Sequence, residues 1–166
     1  MNETKTANGI NGNGAGAPEE SKQFVLQNLY VKDMSFESPS SPQIFQGGNI
    51  EPETELNMRS GHAELSEGLY EVKLNISVHA KQDDQTIFLV ELEQAGVFQV
   101  VGYKIDEIHS LLGIHCPATL FPYARETISS IVSKGGFPPL MLQPISFDAL
   151  YARARVQRNA QTSGSN

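Results

Sequence analysis

Three residues that lie close together in the chain, His109, His115 and Cys116, are of the types that activate a thiol nucleophile or hold zinc. Their spacing fits neither role. His115 and Cys116 are adjacent and diverge on any regular backbone, no C-x-x-C or H-E-x-x-H pattern exists, and a fourth ligand is missing. A buried thiol and ordinary histidines beside Pro117 are the expectation instead, and His62 and His79 have no partners in the sequence. Asp106 and Glu107 could act as general acid and base, but they open a helical pattern, where first-turn carboxylates complement the helix dipole. Gly12, Gly14 and Gly16 lack the preceding strand, the following helix and the Lys-Ser or Lys-Thr that a phosphate loop requires. Catalysis thus finds no positive support, and no metal or cofactor is expected.

Two other features are less ordinary. Asp33 and Glu37, with Ser35 between them, share one face of an extended segment, and Leu89, Glu91 and Glu93 share one face of another. If these segments are neighbours they form an acidic patch with an apolar spot; otherwise they are the charged face of any solvent-facing sheet. Linkers rich in Pro and Gly carry large apolar residues, Phe36, Ile44 and Phe45 in one and Phe137, Leu140 and Leu142 in another. Such residues either cap the core or line a groove for apolar segments of another chain.

The elements that position these residues follow from periodicity. Tyr70, Val72, Leu74, Ile76, Val78 and Ala80 alternate with polar residues as in a half-buried strand. A polar run at Lys81–Gln85 turns into a second strand, with Phe88, Val90 and Leu92 on one side and Leu89, Glu91 and Glu93 on the other, giving an antiparallel hairpin. Gly96 interrupts the pattern before a further strand, Val97–Val101. Phe24–Glu37 is extended, with Tyr30, Met34 and Phe36 on one face, and Leu56 and Met58 belong to a shorter edge strand. The period then changes. Ile105–Leu112 reads as a short helix stopped by Gly113, Pro117–Lys134 as a long helix with Pro122 placed in its first turn, and Ser146 as the cap of a last amphipathic helix. Strands followed by helices give an α+β fold with an antiparallel sheet.

The chain has 166 residues, 19 acids and 12 bases, and a formal charge of -7. One domain is expected, with 1–21 as a disordered N-terminal tail, 22–156 as the folded body and 157–166 as a flexible C-terminal tail. The acids concentrate in residues 33–107, which hold fourteen against four bases, whereas 108–166 hold two against five. An acidic chain is poorly suited to nucleic acid and better suited to basic partners. A single cysteine excludes an internal disulfide and fits a reducing cytosol. No segment approaches the roughly 18 apolar residues of a membrane span, and the first residues lack the apolar core of a signal peptide.

The sequence resembles the SecB family of bacterial export chaperones. The likeness rests on Lys32-Asp33-Met34-Ser35-Phe36-Glu37, Tyr70-Glu71-Val72, Phe88-Leu89-Val90-Glu91, Leu120-Phe121-Pro122-Tyr123-Ala124-Arg125-Glu126, and Gly136-Phe137-Pro138 through Phe147-Asp148-Ala149-Leu150. These cover most of residues 24–151 in the family's order, and the LFPYARE run is highly specific.

The resemblance implies a cytoplasmic homotetramer, a dimer of dimers, whose subunit has a four-stranded antiparallel sheet with a long helix and a C-terminal helix on one face. It implies a holdase without cofactor, nucleotide or enzymatic activity, which keeps unfolded precursors translocation-competent and passes them to SecA, the motor of the Sec translocase. The family's SecA-contact positions match Asp33, Glu37, Leu89 and Glu91. Client-groove positions fall around Phe36, Phe45, Leu56, Met58, Leu140 and Leu142, and Phe88, Val90 and Leu92 occupy positions linked to assembly. The sequence departs from the family in lacking the Trp common shortly after the Phe45 position and in a one-residue insertion within Gly47-Gly48-Asn49-Ile50. A second function of the same fold is a non-catalytic module dedicated to one aggregation-prone partner, such as an antitoxin.

Overall fold

A computed structural model describes residues 21–163, with side chains through Gln161. The tail expected at 1–21 lies outside the described residues except for its last position. Four strands, β1 (Gln23–Glu37), β2 (Glu53–Ser66), β3 (Leu69–Gln82) and β4 (Gln85–Val101), form one antiparallel sheet in the order β1-β4-β3-β2. The chain after β1 therefore crosses to the opposite edge before the β2-β3-β4 meander brings it back.

The hairpins follow local chemistry. Asp83 and Asp84 both adopt positive φ, 48° and 61°, as a two-residue turn between right-twisted strands demands, and Asp tolerates that region. Along β3 the alternation is complete: Val72, Leu74, Ile76, Val78 and Ala80 are buried and each intervening residue is partly exposed.

β4 differs from the expected pattern. It is one uninterrupted strand of 17 residues, and Gly96 lies inside it. A Cβ there would stand 2.9 Å from Leu120 and 3.0 Å from both Leu26 and Phe98, so Gly96 marks where a helix presses on the sheet.

β1 carries two irregularities in its pairing with β4, at Gln27 and at Lys32. An extra residue inverts the facing of everything beyond it. Met34 and Phe36 pair with Leu92 and Val90 on the core side, but Tyr30 pairs with Ala95 and sits on the outer face, bonded to Glu71. The expectation that Tyr30 shares a face with Met34 and Phe36 fails because of the bulge at Lys32.

The helical layer covers one face of the sheet. Helix α1 (Ile105–Ser110) does not end at Gly113; it runs through a π-helical turn, Leu111–His115, directly into α2 (Cys116–Lys134). Gly113 is there for space, because a Cβ would lie 2.3 Å from the Tyr151 ring. Pro122 is inside α2, not in its first turn; it lacks the N–H that would bond the Ala118 carbonyl, and both residues are exposed. Leu120, Ala124, Ile128 and Val132 recur every fourth residue and are fully buried against β3 and β4. Truncating one such side chain, Leu120→Ala for example, costs about 2–5 kcal/mol.

The last helix, α3, spans Phe147–Ser163 and so continues through residues expected to fray after Val156. Ser146 Oγ accepts from the Ala149 N–H at 3.3 Å, as its capping role requires. The Tyr151 ring over Gly113 and the Phe147 ring, 5.8 Å from that of Phe121, dock α3 on the rest of the fold. No helix among the described residues is long and apolar enough to cross a membrane.

Candidate functional site

The face of the sheet opposite the helices carries the acidic patch. Antiparallel pairing sets Asp33 opposite Glu93, Ser35 opposite Glu91 and Glu37 opposite Leu89. On its other side β4 meets β3, which sets Asn75, Ser77 and His79 beside Glu93, Glu91 and Leu89 respectively. The segments whose adjacency the sequence left open are thus immediate neighbours, and Asp33, Glu37, Leu89 and Glu91 lie within one patch.

The carboxylates of this face fall into two groups. Glu93 is paired with Lys73 at 3.3 Å, and Glu71 accepts from Lys32 at 2.7 Å and from the Tyr30 hydroxyl. Hydrogen bonding to Lys32 first, and to Tyr30 second, holds the Glu71 carboxyl below its usual range. The bond to Glu71, reinforced by burial, pushes the Tyr30 hydroxyl up to about 12. In contrast, no cation among the described residues is within ion-pair reach of Asp33, Glu37 or Glu91, and all three are exposed. Three uncompensated carboxylates around the half-buried Leu89 make a negative rim with an apolar centre, which attracts a basic partner over about one Debye length. Nothing in the sequence pattern announces the neutralising network of Tyr30, Lys32, Glu71 and Lys73. Only the bulge at Lys32 brings it together, and bulges leave no mark on periodicity.

The apolar residues expected at a client groove are placed as follows. At the β1 edge a chain of rings runs from Phe36 to Phe88 (6.2 Å), Phe88 to Phe137 (5.2 Å) and Phe137 to Phe45 (5.3 Å). The crossing loop is tied down there by Ser40 Oγ, which donates to the Thr86 carbonyl at 2.6 Å. Phe45 stays 49% exposed at the end of the series. Leu56 and Met58 are on β2, the edge strand opposite β1. Leu56 is open, whereas Met58 lines a cleft with Leu74, Phe147 and Leu150. Leu140 and Leu142 lie in the extended connection between α2 and α3; Leu142 is buried and Leu140 half-buried. Met141 between them is 56% exposed and faces a separate cavity of about 860 Å³ beside Phe121 and Ile145. Phe88, Val90 and Leu92 are buried in the chain's own core.

The residues of catalytic type lie elsewhere in the fold. Cys116 is fully buried, and desolvation pushes its thiol up to about 12, which makes it a poor nucleophile at neutral pH. Glu107 accepts from the Lys104 N–H at 2.9 Å and pairs with Lys22 at 2.7 Å, closing the first turn of α1. His79 Nε2 is hydrogen-bonded to Thr86 Oγ1 at 2.8 Å, and His62 shares a cavity with His109, so both have neighbours that the sequence did not reveal.

Comparison with known proteins agrees with this architecture. Residues 17–158 match the family model described as preprotein translocase subunit SecB. The chain is 50% identical over 139 residues to the protein-export protein SecB of Nitrosococcus oceani, covering 83% of this chain and 85% of that protein. It is 50% identical over 142 residues to its counterpart in Methylococcus capsulatus, covering 84% and 91%. Among solved structures, a SecB-like chaperone of Mycobacterium tuberculosis, in complex with a peptide from an antitoxin, superposes with a TM-score of 0.60 at 16% identity, covering 74% of this chain and 91% of that one. That likeness shows a shared fold, and half-identical relatives across most of their length settle the rest: the chain belongs to the SecB family of protein-export chaperones.

Proposed function

We propose that this export chaperone uses the two sides of its sheet for two tasks. The outer face, through Asp33, Glu37, Leu89 and Glu91, docks on SecA, and the apolar surfaces at the sheet edges and along the α2–α3 connection hold unfolded preproteins. The observation that carries the reading is the β1/β4 register, which gathers an uncompensated acidic rim around Leu89 on the side away from the core. A basic segment of the motor would be steered to that rim, and Leu89 would supply a small desolvated contact.

Clients meet Phe36, Phe45, Leu56, Met58, Leu140 and Leu142 at several separated places, so each contact is weak. A homotetramer, built as a dimer of dimers, multiplies them through effective concentration. The protein works in the bacterial cytoplasm without nucleotide, metal or catalysis; the buried, undissociated Cys116 supports the last point. Dedication to a single antitoxin-like partner has less support, because the half-identical relatives are export proteins and the chaperone with the antitoxin peptide shares only 16% identity.

The test is refolding of a denatured exported precursor. Stoichiometric tetramer should block refolding without ATP and release the precursor to SecA; refolding at the unassisted rate would refute the holdase reading.

A further inference from the structure

Phe147 and Leu150 stand three residues apart on α3 and so share a face, and Arg153 follows at the margin of that face. With Met58 and Arg59 of β2 and Leu74 of β3 they line an open cleft of about 470 Å³ at the β2 edge. Leu74 and Phe147 are buried, whereas Leu150 stays 38% exposed and Met58 is half-buried. The cleft therefore presents apolar surface that the chain itself leaves partly uncovered.

Its charge is opposite to that of the chain. Among the described residues that line the cleft there are two cations, Arg59 and Arg153, and no acid. Both arginines are exposed, and no ion pair among the described residues involves either. Helix α3 has a single acid, Asp148, in its first turn, and none after it. The chain as a whole carries -7, and the outer face of the sheet gathers the uncompensated Asp33, Glu37 and Glu91. The two sides of the sheet thus differ in sign where β2 meets α3.

We infer that this cleft selects preprotein segments in which carboxylates flank an apolar core, with the core against Met58 and Leu150 and the carboxylates on Arg59 and Arg153. The inference rests on the reading that Met58 belongs to the client-holding surface, and it adds the chemical class of the segment held there. A guanidinium suits this place because its planar fork matches a carboxylate while its stem lies along apolar surface. Charge then separates the two tasks: the acidic outer face attracts a basic segment of SecA and repels an acidic client segment, and the cationic cleft does the reverse. The negative charge of the whole chain opposes acidic segments at long range. At about 0.15 M salt the screening length is about 8 Å, which leaves the contacts with the two arginines to decide the preference.

The experiment measures binding of labelled peptides to the full chain by fluorescence anisotropy at about 0.15 M salt. The peptides share one leucine-rich apolar core and are flanked at both ends either by glutamates or by glutamines. Exposed ion pairs are individually weak, so the glutamate peptide should bind tighter by roughly fivefold, and the advantage should shrink as salt is added. Arg59→Gln with Arg153→Gln should erase the difference and leave the glutamine peptide's affinity unchanged. Arg153→Glu should turn the preference towards the glutamine peptide. Equal affinity of the two peptides for the unaltered chain, or a preference that survives in the double variant, would overturn the inference while the client surface itself stands. Failure of both peptides to bind would remove the client reading of this cleft and the inference with it.

Discussion

Leu89 stands directly opposite Glu37 across the β1/β4 ladder, so an apolar side chain and an exposed carboxylate share one spot on the outer face. Two places along β4 on the same face, Glu91 stands between Ser35 and Ser77, with no cation among the described residues in reach.

Reversing charge at that point tests the docking surface. Glu91→Lys leaves the core untouched, because Glu91 is exposed, and surface changes of this kind alter stability by about 0.5 kcal/mol or less. SecA affinity at low salt should fall by roughly tenfold or more, chiefly through slower association, while client capture is unchanged. Surface plasmon resonance across a salt series would show it, and the wild-type advantage should shrink as the Debye length contracts. Unchanged SecA affinity at low salt would remove the patch from the mechanism.

The Tyr30–Glu71–Lys32 cluster gives the sheet a pH signature at both extremes. The folded Tyr30 hydroxyl is pushed up to about 12, above its unfolded value, so the stability it contributes is complete below the unfolded value and is lost as pH rises through the folded one. Glu71 is shifted down, so its contribution is present above the unfolded carboxyl value and is lost as pH falls through the depressed folded one. Ultraviolet titration of the folded protein should contain a late tyrosinate step near the value of Tyr30, and Tyr30→Phe should abolish that step. If the late step survives in the variant, the hydrogen bond to Glu71 does not govern it.

How far this architecture could be read in advance depends on whether the controlling information is local. β3 was legible residue by residue, since Val72 through Ala80 are buried on one side along an unbroken pleat. The acids of the patch were legible as faces of two strands, but their adjacency required β1 to pair with β4 across more than fifty residues of chain, which period-two alternation does not encode. Tyr30 escapes the alternation because the bulge at Lys32 is set by how β1 follows its partner. Gly96 and Gly113 resemble breakers only in isolation; in the fold each is the space another element occupies, Leu120 at one and Tyr151 at the other.

Cys116 should behave as a reporter of opening. With its thiol fully buried and pushed up to about 12, the thiolate is scarce through the neutral range. Alkylation by iodoacetamide at about pH 8 should be at least about a hundredfold slower in the folded protein than in the chain unfolded by urea. The folded-state rate should also track the opening equilibrium as urea is added. Equal rates in the two states would place the thiol at the surface and reopen a chemical role for it.

The seat of α3 depends on a missing methyl group. Gly113 lies in the π-helical turn between α1 and α2, and a Cβ there would come within 2.3 Å of the Tyr151 ring. Gly113→Ala therefore has two opposed effects. It stiffens a helical segment, worth about 1 kcal/mol in favour of the fold, and it drives the ring out of its seat, loosening α3. The two separate in a double-mutant cycle. Tyr151→Ala alone should expose α3 to limited proteolysis at the Leu140–Ser146 connection with a small change in the global urea midpoint. Gly113→Ala alone should give the same proteolytic phenotype. The double variant should be no more susceptible than either single one and should have a higher midpoint than Tyr151→Ala, because with the ring gone only the stiffening remains. Additive susceptibility in the double variant would show that Gly113 and Tyr151 act independently and that α3 is held elsewhere, with Phe147 against Phe121 as the remaining anchor.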